Sequence, residues 1–126
     1  MSVLVDSSVW IDYLRTASYA DTLDLLIEEN LVVTNDLILG ELIPPLEVQK
    51  KKTLVSLLRE VKRQPMAIDW EELIKMQTTC LSQGINGVGV PDLLIVQNAI
   101  QGDLKLLSRD KHFSLIAKHI PVAIYS

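Results

Sequence analysis

Cysteine is nearly absent: Cys80 is the only one among 126 residues, so no intramolecular disulfide can form and a reducing, intracellular setting is expected. No apolar run approaches the ~18 residues of a membrane span, and no basic-then-apolar leader opens the sequence. A cytoplasmic protein without a membrane segment is the expectation. Basic residues are scarce in the first third, where Arg15 is the only one before Lys50. With 12 Lys+Arg against 16 Asp+Glu, a formal charge of -4, the whole molecule is not an obvious polyanion binder. No internal repeat, low-complexity tract or linker interrupts the chain. A chain 48% hydrophobic and 22% charged fits one compact domain spanning 1–126, large enough to bury a core without disulfide staples.

Charge is uneven along the chain. Asp6, Asp12, Asp21, Asp24, Glu28, Glu29, Asp36 and Glu41 collect early, whereas Lys50, Lys51, Lys52, Arg59, Lys62 and Arg63 crowd one later segment. The pattern places either basic edges around an acidic pocket or a solvated helix face.

Short apolar runs alternate with helical periodicity. Ser2–Val5 reads as a buried strand, Ser7 or Ser8 as the cap of a helix through Leu14, and Tyr19–Asn30 as an amphipathic helix. Leu31–Val33 is a second strand. Thr34-Asn35-Asp36 caps a helix over Leu37–Ile43, which Pro44-Pro45 is expected to stop. A longer helix over Glu47–Arg63 follows, with Val48 and Leu57 among its inward residues, and then a third strand at Met66–Ile68. Asp69 caps a helix to about Ser82, and Gly84, Gly87 and Gly89 make a flexible connection. Pro91-Asp92 opens a helix that Gly102 ends. Leu104–Leu107, Asp110–Ile116 and Pro121–Tyr125 are strand, helix and strand. This alternation implies an α/β fold, with a mostly parallel sheet of about five strands flanked by helices on both faces.

Four carboxylates stand at element ends or inside apolar segments: Asp6, Glu41, Asp92 and Asp110. Three have a ready structural explanation, because aspartate is favoured where a helix begins. Glu41 lacks that explanation. Leu37 and Ile38 lie one turn behind it and Pro44 and Pro45 one turn ahead, so no lysine pairs with it at helical spacing. It is solvated in a cleft, matched by a distant cation, bound to a metal, or exposed on a short helix. Clustered carboxylates suit hard cations such as Mg²⁺ and Mn²⁺, and such ions stabilise charge on a phosphate under in-line attack.

Val5-Asp6-Ser7-Ser8-Val9-Trp10-Ile11-Asp12, the helix carrying Glu41, Asp92-Leu93-Leu94-Ile95-Val96-Gln97-Asn98-Ala99 and Leu107-Ser108-Arg109-Asp110-Lys111-His112-Phe113 together resemble the successive motifs of PIN-domain ribonucleases. They are most similar to the VapC toxins of prokaryotic toxin–antitoxin pairs, and the resemblance spans nearly the whole chain. It implies a PIN-like three-layer α/β/α fold, a Mg²⁺-dependent endoribonuclease in which Mn²⁺ can substitute, a homodimer, and a VapB-type antitoxin that blocks the site. Asp6, Glu41 and Asp92 match the family's acidic triad and Asp110 its fourth acid. Ser108 stands where the family usually has threonine, and Ser8 where many relatives have asparagine. Each keeps a polar group able to hold water or a phosphate oxygen. Asn98 falls where small or hydroxyl residues are common.

On this resemblance Asp6, Asp92 and Asp110 would hold the ion directly or through water. Glu41 would bind it or orient the attacking water, and cleavage would leave 5′-phosphate and 3′-hydroxyl ends. Arg15, Arg109 and Lys111 are candidate phosphate contacts. Trp10, Tyr13 and Trp70 could stack on bases, although Trp10 and Tyr13 at spacing three on an apolar helix read more readily as core. Three rivals compete. His112 and His119 could run metal-free cleavage through the 2′-hydroxyl. A haloacid-dehalogenase-type phosphatase would need an aspartate where Ser8 stands, and a response-regulator receiver an acidic pair that is only partly present. The alternative from another class is a catalytically weak PIN-like module that binds RNA or protein without turnover.

Overall fold

Val3, Leu4 and Val5 are all buried. Successive strand residues point to opposite faces, so a fully buried run requires cover on both sides of the sheet. The computed structural model, which describes residues 1–126, provides that cover. β1 (Val3–Val5) leads into α1 (Ser7–Thr16), α2 (Ala20–Glu28) and β2 (Val32–Thr34); α3 (Asp36–Val48), α4 (Lys52–Glu60) and β3 (Lys62–Arg63) follow. The second half runs through α5 (Trp70–Ser82), α6 (Val90–Gln101), β4 (Lys105–Leu107), α7 (His112–Ile116) and β5 (Ala123–Ile124). The five strands form one sheet in the order β3-β2-β1-β4-β5, every pair parallel. The expected α/β three-layer architecture is the observed one, with 32 buried apolar residues in one cluster.

Three expectations fail between Pro44 and Ile68. The helix does not stop at the prolines: α3 runs through Pro44 and Pro45 to Val48. The carbonyls that lose a donor belong to Gly40 and Glu41, on the same exposed side as the prolines, where water can serve them. The opposite side buries Leu42, Ile43 and Leu46, and that burial carries the helix past the break.

The helix expected over Glu47–Arg63 is interrupted instead by Lys50 at φ 58. Lys51 N–H reaches back to the Leu46 carbonyl at 3.0 Å, the six-to-one bond of a Schellman ending. Val48 is consequently 82% exposed and Leu57 55% exposed, so neither is a core residue. The third strand is not Met66–Ile68 but Lys62–Arg63, an exposed two-residue edge pairing with Val33 and Thr34. Short charged edges of this kind deter further strand addition. Met66–Ile68 has no regular structure. Polar groups of α6 hold that passage instead: Asn98 Nδ2 donates to the carbonyls of Gln64 (3.4 Å) and Pro65 (3.1 Å), and Gln101 Nε2 donates to that of Ala67 (2.6 Å).

Candidate active site

In an open parallel sheet, ligands collect outside the carboxyl ends of the strands where the winding direction switches. Here the chain builds β2 and β3 on one side of β1, then returns to lay β4 and β5 on the other. The switch lies between β1 and β4. Asp6 leaves the end of β1, and Ser108 and Asp110 leave the end of β4. The Asp6 N–H donates to the Leu107 carbonyl at 2.9 Å, which ties these two exits together.

Asp6 occupies the N-cap position of α1, yet its side chain makes no capping bond. The carboxylate is buried, and its Oδ2 accepts from Ser8 Oγ and Ser108 Oγ, each at 2.8 Å. Those hydroxyls in turn accept the N–H groups of Arg109 (3.2 Å) and Asp110 (3.0 Å). Ser8 and Ser108 therefore hold the aspartate itself, where water or a phosphate oxygen had been expected. Neither Ser7 nor Ser8 caps α1, whose first turn contains both; Ser7 Oγ instead lies 3.4 Å from Glu41 Oε1.

The other three acids follow the same pattern. Asp92 Oδ2 accepts from the Gly89 N–H at 3.3 Å, at the start of α6. Asp110 Oδ1 accepts from the His112 N–H at 2.9 Å and lies 2.8 Å from its Nδ1. Each of the four carboxylates thus gives one oxygen to protein donors and keeps the other free of protein partners. Burial raises the Glu41 carboxyl above its ordinary value, and the negative charges of Asp6 and Asp92 add to the rise, against the opposing bond from Ser7. Burial likewise raises Asp92, the Gly89 N–H opposes it, and Asp110 and Asp6 push it further up. The four acids named from the sequence therefore share one electrostatic environment, with Glu41 at its exposed margin.

No three acidic, histidine or cysteine side chains are arranged to hold one ion directly. The donor set is nevertheless all oxygen, unpaired with any cation at Asp6, Glu41 and Asp92. It fits an ion that keeps much of its water and takes only one or two direct carboxylates, which is the habit of Mg²⁺.

The basic candidates separate. Arg109 is committed to Asp12, with Nη1–Oδ2 at 2.6 Å. Arg15 lines a groove of about 520 Å³ together with Glu41 and Lys51. Lys111 is exposed and makes no ion pair. Trp10 is buried and meets Tyr13 edge-on, with centroids 6.1 Å apart, so Trp10 is not free to stack on a base; Tyr13 is half-buried and Trp70 is 58% exposed. α7 ends at Ile116, so His119 shares no helix with His112.

Sequence reasoning passed over Ser7, Asp12 and Lys51 as site neighbours, and weighed His112 only for metal-free cleavage. Ser7, Asp12 and His112 gave a signal, as members of the motif segments; Lys51 gave none. Asn98, set aside as a departure, is buried, accepts from Asn35 Nδ2 at 2.9 Å and fastens the Gln64–Pro65 passage.

The profile of the PIN domain family matches residues 3–119. The chain belongs to the PIN-domain family. PIN domains are generally nucleases that use divalent metal ions. Solved structures of the same fold include VapBC2 from Rickettsia felis bound to a fragment of its promoter DNA, with TM-score 0.76 and 17% identity over 99% of this chain and 98% of that one. VapBC-1 from nontypeable Haemophilus influenzae matches with TM-score 0.75 and 19% identity, over 100% and 98% of the two chains. FitAcB from Neisseria gonorrhoeae gives 0.73 and 20%, over 98% and 96%. No curated protein sequence matches the chain.

Proposed function

We propose that this PIN domain, acting as a single unit over 1–126, is a cytoplasmic endoribonuclease dependent on Mg²⁺, with Mn²⁺ able to substitute, and that it is the toxin of a VapBC-type pair. The observation that carries the reading is that Glu41 and Asp92 feel the charges of Asp6 and Asp110, while each of the four carboxylates has one oxygen fixed by the protein and the other free. Asp6, Asp92 and Asp110 would hold the ion directly or through water, with Glu41 at the open margin. A bound divalent ion would supply charge neutralisation for the phosphate and acidify a water molecule. Ser8 and Ser108 keep the Asp6 carboxylate aimed. Glu41, raised by burial and by its acidic neighbours, is suited to accept a hydrogen bond or proton from the attacking water. Hydrolysis by water leaves a 5′-phosphate and a 3′-hydroxyl.

Arg15 and Lys51 beside Glu41 offer a path for the RNA backbone, with Lys111 exposed beyond Asp110. Arg109 would join them only by sharing its charge with Asp12. For the antitoxin, a second groove of about 370 Å³ is lined by Trp10, Tyr13, Ile27, Leu54 and Leu57 among others, and Leu14 borders both grooves. The indole N–H of Trp10 is buried there without an acceptor. The homodimer is supported by Trp70, Ile74 and Leu81, each 58% exposed and spaced to share one face of α5. No helix is long and apolar enough to cross a membrane.

The test is cleavage of RNA by antitoxin-free protein in Mn²⁺, with the new ends identified by ligation, beside Asp6→Asn. The variant should stay folded and lose more than the ~100-fold that removal of an outer-shell partner costs. RNA binding without turnover by the wild type, or full metal-dependent activity in the variant, contradicts the reading.

A further inference from the structure

His112 has two hydrogen-bonding contacts to a single oxygen. Its backbone N–H donates to Asp110 Oδ1 at 2.9 Å, and its ring Nδ1 lies 2.8 Å from the same atom. A backbone bond of this kind is ordinary at the start of a helix. The ring bond is additional, and it comes from a side chain that lies beside a different segment. A methyl group built on Gly87 would lie 3.5 Å from His112 Nε2 and 3.7 Å from Cε1. Gly87 belongs to the α5–α6 connection that leads into Asp92, and at φ 81 it adopts a backbone conformation that few other residues tolerate.

We propose that His112 is a positioning residue: its Nδ1–H fixes Asp110 through Oδ1, so that Oδ2 faces the other acids, with its ring edge beside the loop that leads into Asp92. The imidazole touches neither substrate nor ion and acts only through the carboxylate. This deepens the nuclease reading and rests on it for the part Asp110 plays. The tautomer follows from the geometry. A carboxylate oxygen can only accept, so the neutral ring carries its proton on Nδ1.

Side-chain geometry supplies a sharp test. The amide nitrogen of asparagine sits where Nδ1 of histidine sits, one bond from Cγ, whereas that of glutamine reaches toward Nε2. Titration calorimetry with Mn²⁺ on His112→Ala, His112→Asn and His112→Gln should show affinity falling about 10-fold in the alanine and glutamine variants. The asparagine variant should recover most of that loss. In parallel, long-range ¹H–¹⁵N spectra of the metal-free wild type should show a proton on Nδ1. Melting curves in EDTA confirm that each variant is folded.

Unchanged Mn²⁺ affinity in folded His112→Ala, equal losses with asparagine and glutamine, or an Nδ1 without a proton would overturn the proposal. The two ideas fail separately. If the wild type binds Mn²⁺ with this variant pattern but cleaves no RNA, the positioning role stands and the nuclease reading falls. If it cleaves RNA and His112→Ala matches it in affinity and rate, the reverse holds. If it binds no Mn²⁺ at all, the role claimed for Asp110 falls with the reading.

Discussion

Ser108→Ala probes the site without touching a carboxylate. The hydroxyl donates to Asp6 Oδ2 at 2.8 Å and accepts the Asp110 N–H at 3.0 Å. A hydrogen bond to a charged group contributes about 1.5–3 kcal/mol and a neutral one about 1 kcal/mol, less where water can step in. Ser108 is half-buried, so the net loss should be about 2 kcal/mol. For a chain of 126 residues the unfolding entropy is about 0.26 kcal/mol per degree, and the melting temperature should fall by about 8 °C.

Ser8 Oγ donates to the same Asp6 oxygen at 2.8 Å, which makes the pair informative. With one serine gone the other still serves the buried carboxylate; with both gone it has neither. Ser8→Ala and Ser108→Ala together should cost at least about 0.5 kcal/mol more than the two single losses combined. Ser108→Thr keeps the hydroxyl and should stay within about 0.5 kcal/mol of wild type. Urea unfolding in EDTA measures all four variants. If Ser108→Ala is neutral, or the double variant is strictly additive, the two hydroxyls are not holding Asp6 as described.

Glu41→Gln should raise the metal-free melting temperature at pH 7 by up to about 4 °C. A carboxyl raised in the fold takes up its proton more readily than in the unfolded chain. Its penalty is therefore absent below the unfolded value of 4.5 and grows as pH rises through the folded one. The gain should vanish near pH 4 in a melting series, and a loss at pH 7 would contradict the burial and repulsion assigned to Glu41. By the same sign, Mn²⁺ should protect against melting more at pH 7 than at pH 5, as differential scanning fluorimetry can follow. Asn98→Ala leaves the carbonyls of Gln64 and Pro65 and the Asn35 amide without their partner, and urea unfolding should show a loss of about 2–4 kcal/mol. Lys50→Gly relieves a left-handed residue and should add about 1 kcal/mol by the same assay.

Long-range order was more legible than local endings. Val3–Val5, Asn35, Asp69 and Gly102 announced strand, caps and stop, because buried runs and capping side chains are written in residue types. Lys50 was not legible as a helix end, since a left-handed lysine looks like any other lysine. Lys62–Arg63 was not legible as a strand, since an exposed edge needs no apolar alternation and takes its pairing from β2. Pro44 and Pro45 misled because the rule weighs the broken bonds and not the buried face behind them. In the site, the acids stood out by type and by motif. Their company did not: Ser7 on Glu41 depends on where α1 and α3 meet, and His112 on Asp110 depends on the turn the chain takes between them.

The central claim is that Asp6, Glu41, Asp92 and Asp110 jointly receive a divalent ion. Anomalous diffraction from crystals soaked in Mn²⁺ tests it most directly. The expected result is a peak among these four carboxylates, approached by their free oxygens and lost in Asp6→Asn. No peak in that pocket at saturating Mn²⁺, or an equal peak in the variant, would contradict it.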